Sequence, residues 1–221
     1  MGGPYAEGAT TLTRAFFDGR PRAPIYLAAM RQLEPIYRAL EASLVVESEH
    51  YLLSPFHRPE LFRTPSIRAD LRALGSAGNR AQTRCTQDHT RRIFLVARHQ
   101  PGRLIGHLYA LHITDLVAAR VVGPWAARAL GFEEHTRLNF LHYPCIGDLG
   151  AYREELHAYL DAVPRAAHDG IVQEAVLAFS LRGRLLTELL SERDGQPGIR
   201  RRMPARGPRT PPRVLMRAEE S

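Results

Sequence analysis

The sequence has no lysine: all 30 of its basic residues are arginine. Schiff-base chemistry and every other use of a lysine amine are therefore excluded. It has only two cysteines, Cys85 and Cys145, too few for a disulfide framework or a cysteine-built zinc or iron–sulfur site. No apolar run approaches the roughly 20 residues of a membrane-spanning helix, so no transmembrane segment is expected. The first twenty residues lack the basic-then-apolar order of a signal peptide. A soluble, reduced, cytoplasmic protein is the expectation. No stretch alternates at period two with β-branched residues, so a sheet is not expected. Internal repeats, glycine-rich phosphate loops, nucleophile elbows and zinc motifs are also missing.

What is present suits one globular domain. The 221 residues are 44% hydrophobic and 24% charged, enough to bury a core without staples. The net charge of +7 is unevenly spread. From Gly195 onward there are seven arginines, two acids (Glu219 and Glu220) and five prolines. Such a composition does not repay its ordering entropy, so residues 191–221 read as a disordered, solvated Arg/Pro-rich tail and residues 1–190 as the folded domain. The run Arg200, Arg201, Arg202 offers plain electrostatic attraction to anions. The charge balance of the body is nearly even, and nucleic-acid binding is not expected.

The body reads as helices. Residues 22–49 place Ile25, Leu33, Ile36, Tyr37, Leu40 and Leu44 on a helical stripe, with Pro35 expected to kink or divide it. Further helices are expected at 66–74, 82–98, 101–130, 149–163 and 167–190. Pro65 signals a start, Gly75 a stop, and Gly123-Pro124 a break in the fourth. The expectation is an all-α, single-domain bundle of about seven or eight helices.

The helix near residues 107–122 carries the most unusual pattern. His107, Leu111, Asp115 and Ala118 share one face by three- and four-residue spacing. Asp115 is a lone carboxylate among Ile113, Leu116 and Val117. An ionised carboxylate there must be paired, protonated or facing a wet cavity. The ordinary reading is an ion pair to His112 or to an arginine of another helix. Ala118 and Ala119 would let a flat ligand, or a second helix, approach the backbone. Glu47 and His50 stand at the i,i+3 spacing of carboxylate-bridged di-iron bundles, and His112 with Asp115 repeats it. A solvated helix end accounts for Glu47, Glu49 and His50 better. His57, His89, His99, His135, His142 and His168 read as polar or connecting positions without ligand spacing.

Several blocks, in order, resemble the heme oxygenase family. They are Phe17-Asp18-Gly19, Ile36 through Glu41, Pro59-Glu60-Leu61, Ala69-Asp70-Leu71, His107 through Leu116, Ala129-Leu130-Gly131, Leu138-Asn139-Phe140, and the segment from Glu174 through Phe179 to Leu189. The likeness covers about residues 15–190. It implies an all-α fold that holds heme between a proximal helix bearing a histidine and a distal helix, and O2-dependent opening of heme to biliverdin, CO and iron. By position it implies that Asp115 holds a proton-delivering water network with Tyr37, and that Tyr109 lies near a heme propionate. Arg153 and His157 fall where the family places basic propionate partners.

The departures are specific. The proximal histidine would fall at Pro4 or Gly3, and the first histidine of the chain is His50. The axial ligand is thus unknown; Tyr5, or less readily Glu7, is the nearby substitute. Thr114, Ala118 and Ala119 stand in place of distal glycines. A distal arginine becomes Leu111, while Arg182 replaces an asparagine: either one guanidinium moved across the pocket or unrelated drift. The resemblance implies heme as substrate and cofactor, a tetrapyrrole ligand, and a redox donor such as ferredoxin or a flavoprotein reductase. The alternatives are a non-catalytic relative that binds a tetrapyrrole or a protein partner, and a non-heme iron oxidase on the same fold.

Overall fold

The computed structural model describes residues 22–75, 81–129 and 138–194. Within them lie six α-helices and no strand: α1 (Arg22–Val46), α2 (Thr64–Ala73), α3 (Arg84–His99), α4 (Leu104–Ala129), α5 (Leu149–Asp161) and α6 (Arg165–Asp194). Single 3-10 turns occupy Ser54–Phe56, Pro59–Leu61, Pro101–Arg103 and Asn139–Leu141. The all-α expectation holds. No helix among these residues is long and apolar enough to cross a membrane. The Arg/Pro-rich segment from residue 195 lies outside the described residues, as do Tyr5 and Glu7.

The ends follow local chemistry. Pro65 sits in the first turn of α2, where its missing N–H costs no helical bond. Gly75 follows at φ +67, a left-handed stop that suits glycine. Thr83 caps α3 by accepting from the Thr86 amide at 3.2 Å, and Asp148 caps α5 by accepting from Gly150 N at 2.7 Å. Pro35 lies inside an undivided α1, so of the two outcomes expected there the division is set aside. The break expected at Gly123-Pro124 is corrected: α4 runs through it to Ala129. The expected start at residue 101 is instead a 3-10 turn that leads into α4.

The core gathers Ile36, Leu40 and Leu44 of α1, Ile93 of α3, Leu104, Ile105 and Leu111 of α4, and Leu185 of α6. The principal contacts run α4 along α6 and α1 along α3. At Gly106 the α4 and α6 backbones come closest: a Cβ there would lie 2.6 Å from Ala175 N and from Ile171 O. Both neighbours are backbone and cannot rotate away. Gly106→Ala is expected to destabilise the fold by about 2–3 kcal/mol, read as a lower midpoint in urea. An unchanged midpoint would show that the two helices separate freely.

Buried polar residues lock the segment after the second gap onto this frame. From α1, Glu41 caps α2 by accepting from Arg63 N at 2.5 Å and Thr64 N at 3.1 Å, a carboxylate at a positive helix end. Asp70 of α2 accepts from Tyr26 Oη at 2.7 Å, and from Asn139 N and Phe140 N at 2.7 and 2.9 Å. The Arg63 guanidinium donates to the carbonyls of Asn139, Phe140 and His142 at 2.5, 2.8 and 3.1 Å. It also stacks 4.0 Å from the centre of the Tyr143 ring.

A buried carboxylate beside an apolar cavity

A cavity of about 580 Å³ opens between α4, α5 and α6. Its walls are apolar: Tyr109 and Ile113 from α4, Leu160 from α5, and Ile171, Val172 and Phe179 from α6. Tyr109 meets Phe179 edge-on, with ring centres 6.3 Å apart. Val172 is 59% exposed, so one wall presents hydrocarbon that the described residues leave uncovered. Apolar lining with few polar groups suits a large, flat hydrophobic ligand.

Deeper along α4, Asp115 is fully buried and forms an ion pair with Arg182 of α6. Of the two partners considered for Asp115, it is the arginine of another helix and not His112. Tyr37 of α1 is fully buried and packs edge-on against His112, ring centres 6.4 Å apart, one turn from Asp115. Its other edge contact is Phe140 at 5.9 Å, so the loop locked by Arg63 also seats Tyr37. Asp115 Oδ2, Arg182 Nε and Nη1, Tyr37 Oη, His112 Nδ1 and Tyr143 Oη are all buried without a partner among the described residues. Orphaned groups in such number call for ordered water to satisfy them.

The electrostatics of this pole set its titration. Burial pushes the Asp115 carboxyl up to about 6, against the pull of Arg182. Burial, reinforced by the charge of Arg63, lowers His112 to about 4. Burial, then the neighbouring His107 and Arg182, lower His89 to about 3. The two histidines stabilise the fold above their ordinary range, and that contribution is lost as the pH falls from about 6.5. Asp115 acts oppositely: its contribution is present below about pH 4 and is lost as the pH rises through 6. Between pH 6 and 4 the three together leave the unfolded chain about one proton richer, a loss of roughly 1.4 kcal/mol per pH unit. Asp115→Asn removes the opposing group, so the slope should steepen by about as much again. Urea unfolding across that range checks it; an unchanged slope would mean that Asp115 is ionised throughout.

The structure thus brings Asp115, Tyr37 and Arg182 to one buried region and sets Tyr109 on the cavity wall. Arg153 and His157 lie exposed on α5. His157 shares a helical face with the wall residue Leu160, three positions on. Ala119 is half-buried on α4; Thr114 and Ala118 are on the same helix, but their side chains lie outside the described ones. The di-iron spacing gathers nothing: His50 Nδ1 accepts locally from Leu52 N at 3.2 Å. Among the described residues no group of three or more His, Cys, Asp or Glu side chains is placed to hold a metal ion.

One reading is corrected. His89 is not a connecting residue; it is 1% exposed, inside α3, and bonded to His107. The signal was available, because His89 continues the stripe of Ile93 and Val96. The buried roles of Glu41, Arg63 and Asp70 had no local signal.

Comparison with known proteins places these features. The family profile of heme oxygenase matches residues 6–188. The heme oxygenase of Guillardia theta is 27% identical over 184 residues, covering 81% of this chain and 78% of that protein. Heme oxygenase 2 of Synechocystis is 27% identical over 189 residues, covering 81% and 75%. Among solved structures, the heme oxygenase of Leptospira interrogans superposes with a TM-score of 0.73 at 23% identity, covering 83% of this chain and 96% of that one. Heme oxygenase-2 of Synechocystis, solved with heme and NO, gives 0.75 at 23% identity, covering 85% and 80%. At these identities the superpositions establish a shared fold.

Proposed function

This chain belongs to the heme oxygenase family, and from that premise we propose that it takes heme as its substrate and opens the ring to biliverdin, CO and iron. Oxygen is the oxidant, and electrons come from a donor such as ferredoxin or a flavoprotein reductase. The carrying observation is the buried Asp115–Arg182 pair, with its orphaned polar atoms, beside an apolar cavity. The residues present fit a tetrapyrrole. An apolar wall with Tyr109 and Phe179 accepts the macrocycle, and the exposed Arg153 and His157 suit its carboxylates by charge-assisted hydrogen bonds. Heme supplies, when bound, both the iron that engages O2 and the ring that is opened.

The protein's share is water and protons. Asp115 spends one carboxyl oxygen on Arg182 and keeps Oδ2 for water. A carboxyl group that titrates near 6 is suited to receive and return protons near neutrality. Tyr37 Oη, buried without a partner among the described residues, is available as a further anchor for water.

A second reading has its own observation. No histidine precedes His50, so the family's proximal imidazole has no counterpart at Pro4 or Gly3. A chain without that ligand that only binds a tetrapyrrole, or a protein partner through the retained pocket, is the competing proposal. Heme titration by absorbance, followed by ascorbate under air, separates the two. Saturable one-to-one binding and a growing biliverdin band are expected, with Tyr5→Phe then testing the substitute ligand. Metal-free porphyrin bound as tightly as heme, with no biliverdin, would favour the non-catalytic reading. Stoichiometric iron without heme would point to an iron oxidase, and no saturable binding would end the heme proposal.

A further inference from the structure

Three buried side chains from three helices form a line behind the Asp115 region that the reaction as described does not use. His89 Nε2 of α3 lies 3.1 Å from His107 Nδ1 of α4, and His107 Nε2 lies 2.9 Å from Glu174 Oε1 of α6. None is more than 1% exposed. At the outer end Arg92 grips Glu174 with Nε to Oε1 at 2.8 Å and Nη2 to Oε2 at 2.6 Å. Burial would raise the Glu174 carboxyl, but hydrogen bonds from Arg92 and His107 outweigh it and hold it down at about 2.

The direction of every bond follows from that ionised end. A carboxylate only accepts, so His107 donates from Nε2, and in the neutral imidazole its lone pair is then on Nδ1. His89 must then donate from Nε2, which leaves the His89 lone pair on Nδ1. That atom is buried without a partner among the described residues, as are Nε and Nη1 of Arg182, whose charge reaches His89. A water accepting from Arg182 would have two hydrogens left to give, and His89 Nδ1 and Asp115 Oδ2 are buried acceptors without a partner among the described residues.

We propose that Glu174, His107 and His89 are a positioning chain for the reaction pocket, in which the ionised carboxylate sets both imidazole tautomers and presents His89 Nδ1 as a fixed acceptor to the water shared with Arg182 and Asp115. Its functional consequence rests on the heme reading above; the tautomers do not. A water cluster whose hydrogens have a set direction delivers protons in that direction, and one without the acceptor can reorient.

The first test uses the full-length chain without heme. Long-range proton–nitrogen NMR on ¹⁵N-histidine-labelled protein at pH 7 should find His89 and His107 both neutral with the hydrogen on Nε2, His89 being identified by the signal lost in H89N. A hydrogen on His89 Nδ1, or an imidazolium at that pH, overturns the proposal without reference to heme. The second test adds heme, ascorbate and air. His89→Leu should lower biliverdin formed per O2 consumed at least threefold while heme affinity stays within twofold, and His89→Asn, which restores an acceptor near Nδ1, should recover most of the yield. An unchanged yield in His89→Leu would refute the positioning role. Absence of biliverdin from the unaltered protein would overturn the heme reading and leave the tautomer result standing.

Discussion

Asp115→Asn is expected to slow ring opening by about 100-fold or more, the range over which a positioned acid or base contributes, while heme affinity changes by less than about threefold. The asparagine keeps the volume and an oxygen for Arg182, so the helices need not move. It loses the second accepting oxygen and any ability to take up and return a proton. Asp115→Ala removes more: Arg182 is 7% exposed, and a buried guanidinium without its partner costs about 3–5 kcal/mol. The alanine variant should therefore be both slow and less stable, whereas the asparagine variant separates chemistry from folding. Single-turnover formation of the biliverdin band, beside an absorbance titration with heme, reads the two effects apart. Turnover of Asp115→Asn within about threefold of the unaltered chain would remove Asp115 from the mechanism.

Arg63→Ala should cost about 3–5 kcal/mol, the largest stability effect expected from a residue outside the pocket. One guanidinium satisfies three carbonyls of the 139–142 segment and covers the Tyr143 ring. Truncation leaves those carbonyls buried with fewer donors and opens a hole where a side chain only 2% exposed had been. Phe140 is carried on that segment and forms one of the two edge contacts of Tyr37, so the loss of packing reaches the pocket. Urea unfolding gives the stability, and the yield of biliverdin per heme gives the consequence at the site. A cost below about 1 kcal/mol would show that the segment is held by the Asp70 contacts alone.

Asp115 was conspicuous in the sequence because a single carboxylate stood in an apolar helical face. Its alternatives reduced to a few partners, and Arg182 was already singled out as a displaced guanidinium. Tyr37 and Tyr109 were found through the resemblance and not through any pattern of their own. His89 was misread because a histidine in a polar-looking stretch was judged by its neighbours in the chain, although α3 turns it onto the same face as Ile93. Gly123-Pro124 does not end α4, since tertiary context outweighs a breaker's local cost.

By itself, then, the sequence determined the helical class, the start at Pro65 and the stop at Gly75, the lack of lysine chemistry and of a cysteine-built metal site, and the absence of a histidine before His50. These depend on residues within one or two turns of each other, and 3.6-residue periodicity makes them legible. Only the tertiary structure decided that Asp115 pairs with Arg182, 67 residues away, and that Glu41, Arg63 and Asp70 are locks and not surface charges. It also decided that two histidines 18 residues apart share a bond. A buried polar group must find a partner wherever the fold brings one, since leaving it unpaired costs more than any local preference. That requirement shows in a sequence only as an isolated charge or imidazole, with nothing beside it to say what it will meet.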